Sequence, residues 1–428
     1  MDPLVDPDEP LGRALRGAID DIAAALPAAA VGLDAGLAGG LTGLALFDAY
    51  LRRERRDAGA DADADADAGR AADWLSEAVD AVAAAPQPPG LFGGYTGVAW
   101  AVQHLRADLG IADGEDPVSE IDEALVAATG QPGWSGAADV THGLVGLGVH
   151  ACERLDAPLG RALLANVVHR LDELAAARDG GTTWLTPPEV LPAWQRALHP
   201  RGYYNLGLAH GVPGILALLA TAGAHGVAAD RARPLVEGGL RWLAAHRLPP
   251  DRGALFERVV PAEDGAAAPP RPSRIAWCYG DLGAAVALLH VARSVGDDAW
   301  QAEAVTAARR AATTSLERSG CVDAGLCHGA AGNAHLFHRL YRATGDAAFR
   351  EAARTWLSRA MAMRRPDAGV AGFSAWLPVG GGASEDGQWI GDPGFLTGAA
   401  GIGLVLLAAV GTTAPDWDRA LLASARLP

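Results

Sequence analysis

Cysteine is scarce in this 428-residue chain, which has only Cys152, Cys278, Cys321 and Cys327. Four thiols so unevenly spread do not build a disulfide framework. The N-terminus, MDPLVDPDEP, lacks the basic-then-apolar start of a secretory signal and is acidic instead. Both absences point to a reduced, cytoplasmic protein. Basic residues are in deficit too, 35 Lys and Arg against 51 Asp and Glu, for a formal net charge of -16. Such a surface disfavours nonspecific nucleic-acid binding, in which cationic side chains neutralise phosphates. Uncharged runs long enough to cross a membrane are missing apart from residues 394–415. That run is rich in glycine, and its pattern recurs elsewhere beside charged residues, so a buried helix is expected there and no membrane span.

What the chain does have is apolar residues, 50% of the total, and a repeat. Gly-x-x-Gly followed by a small or apolar run occurs seven times: LAGGLTGLAL (37–46), LFGGYTGVAW (91–100), DVTHGLVGLG (139–148), GLAHGVPGIL (207–216), AWCYGDLGAA (276–285), GLCHGAAGNA (325–334) and GFLTGAAGIG (394–403). The first glycines are 54, 49, 68, 69, 49 and 69 residues apart, room for two helices and a loop each time. Between them lie charged amphipathic stretches such as ALLANVVHRLDELAAARD (162–179) and AWQAEAVTAARRAATTSLERS (299–319), with the apolar spacing of helices that cover something. The motif helices carry almost no charge and are the ones expected to be covered. Repeated and closed on itself, this alternation predicts an all-α fold, an α/α toroid with a double ring of helices, seven of them inner, in a single domain over residues 1–428. An open solenoid is the alternative. Residues 58–73, AGADADADADAGRAAD, lack the glycine and glutamate of a calcium loop and read as a solvated loop, as does PAEDGAAAPPRPS at 261–273.

Aligned on the first glycine, the motifs place Gly39, Gly93, His142, His210, Tyr279, His328 and Thr397 immediately before it. One residue earlier the fifth and sixth carry Cys278 and Cys327. A repeat brings equivalent positions together, so Cys278, Cys327 and His328 form a zinc-type donor set, two soft thiolates and an imidazole. Three protein ligands leave a fourth position open, the mark of a catalytic site. The competing reading is two small buried cysteines and a satisfied core histidine. Cys152 and Cys321 fall outside the register and read as ordinary thiols.

In RIAWCYG, LCHGAAG, LAHGVPG and DVTHGLVG, set in the sevenfold repeat, the chain resembles the lanthionine synthetase C-like family over nearly its whole length. The resemblance implies an α/α toroid with Zn²⁺ held by Cys278, Cys327 and His328, and catalytic support from Asp139, His210, Arg274 and Tyr279. It also implies the reaction: a peptide cysteine thiol adds to dehydroalanine or dehydrobutyrine, closing a lanthionine or methyllanthionine thioether ring. The implied partners are a dehydrated precursor peptide, a lanthipeptide dehydratase and an export transporter. His142 is an imidazole the family pattern does not require, either a helix-end hydrogen-bonding residue or a second proton carrier. Two alternatives share the fold: a LanC-like protein that adds glutathione to dehydrated residues, and a non-catalytic peptide-binding scaffold. A protein prenyltransferase would need an aspartate where Ala276 stands, and a glycoside hydrolase a second carboxylate beside Asp139.

Overall fold

The computed structural model describes residues 2–57, 69–263, 274–378 and 387–424. In chain order its helices are α1 (Pro10–Ala29), α2 (Leu41–Asp57), α3 (Arg70–Ala84), α4 (Tyr95–His104), α5 (Ser119–Gly130), α6 (Leu144–Glu153), α7 (Pro158–Leu174) and α8 (Ala193–Leu198). They continue with α9 (Val212–Ala224), α10 (Ala229–Ala245), α11 (Asp281–Val295), α12 (Asp298–Ala312), α13 (Leu316–Ser319), α14 (Ala330–Thr344), α15 (Ala347–Met363) and α16 (Ala399–Val410). Each Gly-x-x-Gly does the same job: α2, α4, α6, α9, α11, α14 and α16 all begin directly after its first glycine.

Both glycines are needed because the loop leading into the helix folds back against the helix start. A Cβ on Gly332 would stand 1.8 Å from the Leu326 carbonyl oxygen, and one on Gly329 would stand 2.2 Å from the Gly325 nitrogen. No side chain fits in that space.

The described residues divide into two compact units. The first takes in residues 2–118, 321–377 and 388–418; the second is built on Ser119–Gly320. In the first, α16 packs on α1, α2 and α14, while α3 covers α2 and α15 covers α14. All twelve residues of α16 are buried, as expected of the uncharged run, and among the described residues no helix is long and apolar enough to cross a membrane. In the second unit α9 packs on α6, α10 and α11, with α7 on α6 and α12 on α11.

The covering helices are amphipathic for a packing reason. α7 buries Leu163, Leu164, Val167, Val168 and Leu171 along one stripe and turns Arg161 and Glu173 outward. Burying each such side chain contributes about 1.5–3 kcal/mol, so Val167→Asp would remove that contribution and strand a charge in the core.

Three local expectations are corrected. The stretch 162–179 is not helical throughout: α7 ends at Leu174, and Ala175–Arg178 forms a strand. The stretch 299–319 breaks after Ala312 and resumes as α13. Residues 70–73, read as loop, are the first turn of α3, whereas 58–68 and 264–273, also read as loop, lie outside the described residues.

The second unit also contains an antiparallel sheet in the order β1 (Ala175–Arg178), β2 (Gly181–Thr186), β3 (Tyr203–Asn205), β4 (Val259–Pro261). Its first hairpin turns on Asp179 and Gly180, at φ 50° and 77°. That left-handed pair is the geometry of a two-residue hairpin turn with Asp-Gly. β3 runs straight into the fourth motif and thereby fixes Asn205 beside it. In the first unit, β5 (Ala375–Pro378) pairs with β6 (Gly387–Ile390).

Candidate active site

The motif loops share a second device, six residues before the first glycine. There the Oδ1 atoms of Asp34, Asn205, Asp323 and Asp392 accept from the backbone N–H two residues on, of Gly36 at 2.7 Å, Gly207 at 2.8 Å, Gly325 at 3.0 Å and Gly394 at 2.7 Å. These Asx turns bend each loop back toward its helix.

Main-chain hydrogen bonds then tie one loop to the next. In the first unit the Cys327 N–H donates to the Leu396 carbonyl at 2.7 Å, Leu396 to Ala38 at 2.9 Å and Ala38 to Phe92 at 2.9 Å. In the second unit Val140 donates to Ala209 at 3.0 Å, and Ala209 to Cys278 at 3.4 Å. Each cysteine of the register therefore has its backbone pinned by a neighbouring motif.

Cys278 is buried and Cys327 and His328 are half-buried. The three are candidate metal ligands, Cys278 in the second unit and Cys327 and His328 in the first. The donor chemistry fits zinc: thiolate and imidazole are its common ligands, and three of them leave a tetrahedral position open. Asp323, which the sequence reading passed over, stands behind the histidine. Its Oδ2 is 4.0 Å from His328 Nε2 and accepts from the Trp376 N–H at 2.9 Å. Its sequence signal is its place at the Asx position of the sixth motif.

A second group gathers in the second unit. Asp139 and His210 meet at 2.7 Å, carboxylate Oδ2 to Nδ1. The Thr141 hydroxyl donates to the same oxygen at 2.9 Å, and the His142 N–H donates to Oδ1 at 2.8 Å. Burial works against ionised Asp139, but the His210 hydrogen bond and charge, with the His142 N–H, outweigh it and hold the carboxyl below its ordinary range. Burial likewise disfavours a charged His210, yet the Asp139 hydrogen bond and charge, helped by Cys278, raise its pKa above the ordinary value. Since the carboxylate can only accept, Nδ1 carries the proton, and Nε2 is the atom left for chemistry. His142 is exposed, and its Nδ1 is 2.8 Å from the Thr141 hydroxyl.

Tyr279 stacks obliquely by His210, with ring centroids 5.6 Å apart. Its hydroxyl accepts from Asn205 Nδ2 at 3.1 Å, and the Arg258 guanidinium lies 5.3 Å from its ring centre. Burial is the main cause that raises the Tyr279 pKa, so the phenol keeps its proton at neutral pH. Asn205 and Arg258 are the neighbours the sequence reading missed, one on a short strand and one outside every motif.

Arg274 lines a cleft with Arg258 and Arg310. Its Cβ lies 3.0 Å from where a Cβ on Gly320 would be, at a φ of 70° that suits glycine.

The family model described as lanthionine synthetase C-like protein matches residues 32–422. A LanC-like protein of Arabidopsis thaliana, GCL1, is 28% identical over 236 residues, 55% of this chain and 49% of that protein, so the match spans about half the relative's length. Among solved structures, nisin cyclase superposes with a TM-score of 0.72 at 17% identity, over 95% of this chain and 97% of the other. That likeness gives the fold, an α/α toroid.

Proposed function

The chain belongs to the lanthionine synthetase C-like family, and from that premise we infer that it is a zinc-dependent lanthipeptide cyclase. It would join cysteine thiols of a dehydrated peptide to dehydroalanine or dehydrobutyrine as thioether rings. The observation that carries the reading is the zinc-type donor set that Cys278, Cys327 and His328 supply in register in the fifth and sixth motifs of a chain of this family. These three residues would hold Zn²⁺, which when bound supplies a thiolate at neutral pH from a peptide thiol whose free pKa is about 8.5.

The remaining chemistry falls to this chain's side chains. Addition of sulfur to the alkene forms the C–S bond and leaves negative charge on an enolate, which must be steadied and then protonated at carbon. His210, charged with the help of Asp139, is the proton donor through Nε2. Tyr279 stays protonated and offers a hydrogen bond to the developing oxyanion, and Arg274 adds positive charge. Asp139 never transfers a proton; it fixes the imidazole's tautomer and orientation.

Because a thiolate does not displace an unactivated hydroxyl, the substrate must already be dehydrated. A dehydratase therefore acts before this protein, and an export transporter is the expected later partner.

Ring closure conserves mass, so the test follows thiols. With dehydrated peptide, alkylatable cysteine should disappear while peptide mass stays constant, and metal chelation should stop it. A mass gain of one glutathione would favour the glutathione-adding alternative. Absence of any thiol loss would favour a non-catalytic scaffold.

A further inference from the structure

Five arginines meet in one cleft of the second unit. The cleft has a volume of about 800 Å³, and Arg252, Arg258, Arg274, Arg310 and Arg318 line it. The chain has no lysine, so every one of its 35 cationic side chains is an arginine. Five of them in one cleft make a local positive field on a molecule whose net charge is -16.

The cations are incompletely compensated. Arg310 pairs with Asp281 at 2.9 Å and Arg252 with Glu257 at 3.5 Å. No carboxylate among the described residues pairs with Arg258, Arg274 or Arg318. Nε of Arg310 is buried and has no acceptor among the described residues. Such a donor, withdrawn from water, costs about 1–3 kcal/mol unless something accepts from it.

Guanidinium forks match carboxylates in a planar, bidentate way. The cleft's own Glu257, Asp281 and Glu317 oppose a dianion more than a monoanion. Phe256, Leu248 and Ile275 add an apolar wall. The mixture suits acidic side chains interspersed with apolar ones. The cleft also adjoins the chemistry: Arg258 lies over the Tyr279 ring, and Arg274 is four residues before Cys278.

We propose that this cleft binds an acidic segment of the peptide substrate, with its carboxylates on Arg252, Arg258, Arg310 and Arg318 and its apolar side chains on Phe256. The inference rests on the peptide-cyclase reading above. A segment held there presents the following residues to the His210–Tyr279 group.

The test reads binding, by fluorescence anisotropy of a short labelled Glu/Leu peptide with the full chain kept metal-free by chelator. The wild-type protein should bind this peptide and not its Gln/Leu counterpart. Arg252→Glu with Arg318→Glu should weaken binding by about tenfold or more. Both positions are solvent-accessible, so the fold should survive. Arg201→Glu with Arg233→Glu makes the same charge change at exposed positions outside the cleft and should leave binding unchanged. Equal weakening by both pairs, or no preference for Glu over Gln, overturns the proposal. So does displacement of the peptide by inorganic phosphate where sodium chloride of equal ionic strength has no effect. Specific binding without ring closure would count against the cyclase reading and leave the cleft standing. Ring closure with peptide binding unaffected by the cleft substitutions would count against the cleft alone.

Discussion

His210 and Asp139 are 71 residues apart in sequence and 2.7 Å apart in space, imidazole Nδ1 to carboxylate Oδ2. Each raises the other's tendency to be charged, and the pair holds a proton-bearing ring with one nitrogen uncommitted.

His210→Ala should therefore retain zinc and lose ring closure by about 10²–10⁴-fold, the usual worth of a positioned acid. His142→Ala should be milder, because the larger part of its contribution to Asp139 comes from a backbone N–H that alanine keeps. Steady-state rates with metal content measured alongside decide this, and equal losses would mean the proton carrier is misassigned.

Cys327→Ala removes one ligand of three. Metal analysis should show zinc weakened or lost while circular dichroism shows an unchanged helical fold, since the cysteine's backbone bond to Leu396 does not need its side chain. Full zinc in the purified variant would refute the assignment.

Gly332→Ala should be destabilising by about 2 kcal/mol or more, because its Cβ would stand 1.8 Å from the Leu326 carbonyl, one residue from Cys327. Gly39→Ala, where an added Cβ meets nothing within 4 Å, is the control and should melt close to wild type. Urea midpoints of the two variants give the comparison.

Acid stability should depend on Asp122. It lies buried between His150 Nε2 and Arg154 Nε, each at 2.7 Å. Burial opposes its charge, but these two partners prevail and hold its folded pKa below the ordinary carboxylate value. A depressed folded pKa means stability that is complete above the unfolded pKa and is lost as pH falls through the folded one. Asp122→Asn should lose about 3–5 kcal/mol at neutral pH, leaving His150 and Arg154 buried with a neutral amide for a carboxylate. The variant's stability should also depend less on pH in the acid range, as denaturant titrations across that range would show.

The parts of the fold legible in the sequence are those with a strong burial period. α9 and α16 are free of charge and α7 shows a clean apolar stripe, so covered and covering helices separate there on composition. But α2 runs on into Arg52, Arg53, Glu54, Arg55, Arg56 and Asp57, and α14 contains Arg339 and Arg342, so the expected absence of charge holds only for part of the set. The sheet was not legible for local reasons. Ala175, Ala176 and Ala177 continue a helical pattern and become a strand because Thr182–Trp184 pairs alongside them. β3 is only three residues long, too short to show a period. At the site, residues beside the first glycine stood out by register, but Asp323 and Asn205 sit four residues or more before the catalytic positions, where only four motifs of seven carry the Asx residue. Arg258 belongs to no motif and reaches Tyr279 from the loop before β4.

The hydrogen bonds that string Cys327, Leu396, Ala38 and Phe92 together involve main-chain atoms alone. A frame held in that way is indifferent to what its residues display. Each motif loop is in effect a socket of fixed shape with interchangeable contents: a thiol in one, a leucine in the next, an alanine in a third and a phenylalanine in a fourth. New donors could be tried at Gly39 or Gly93, where an added Cβ meets nothing within 4 Å, without redesigning the scaffold that presents them.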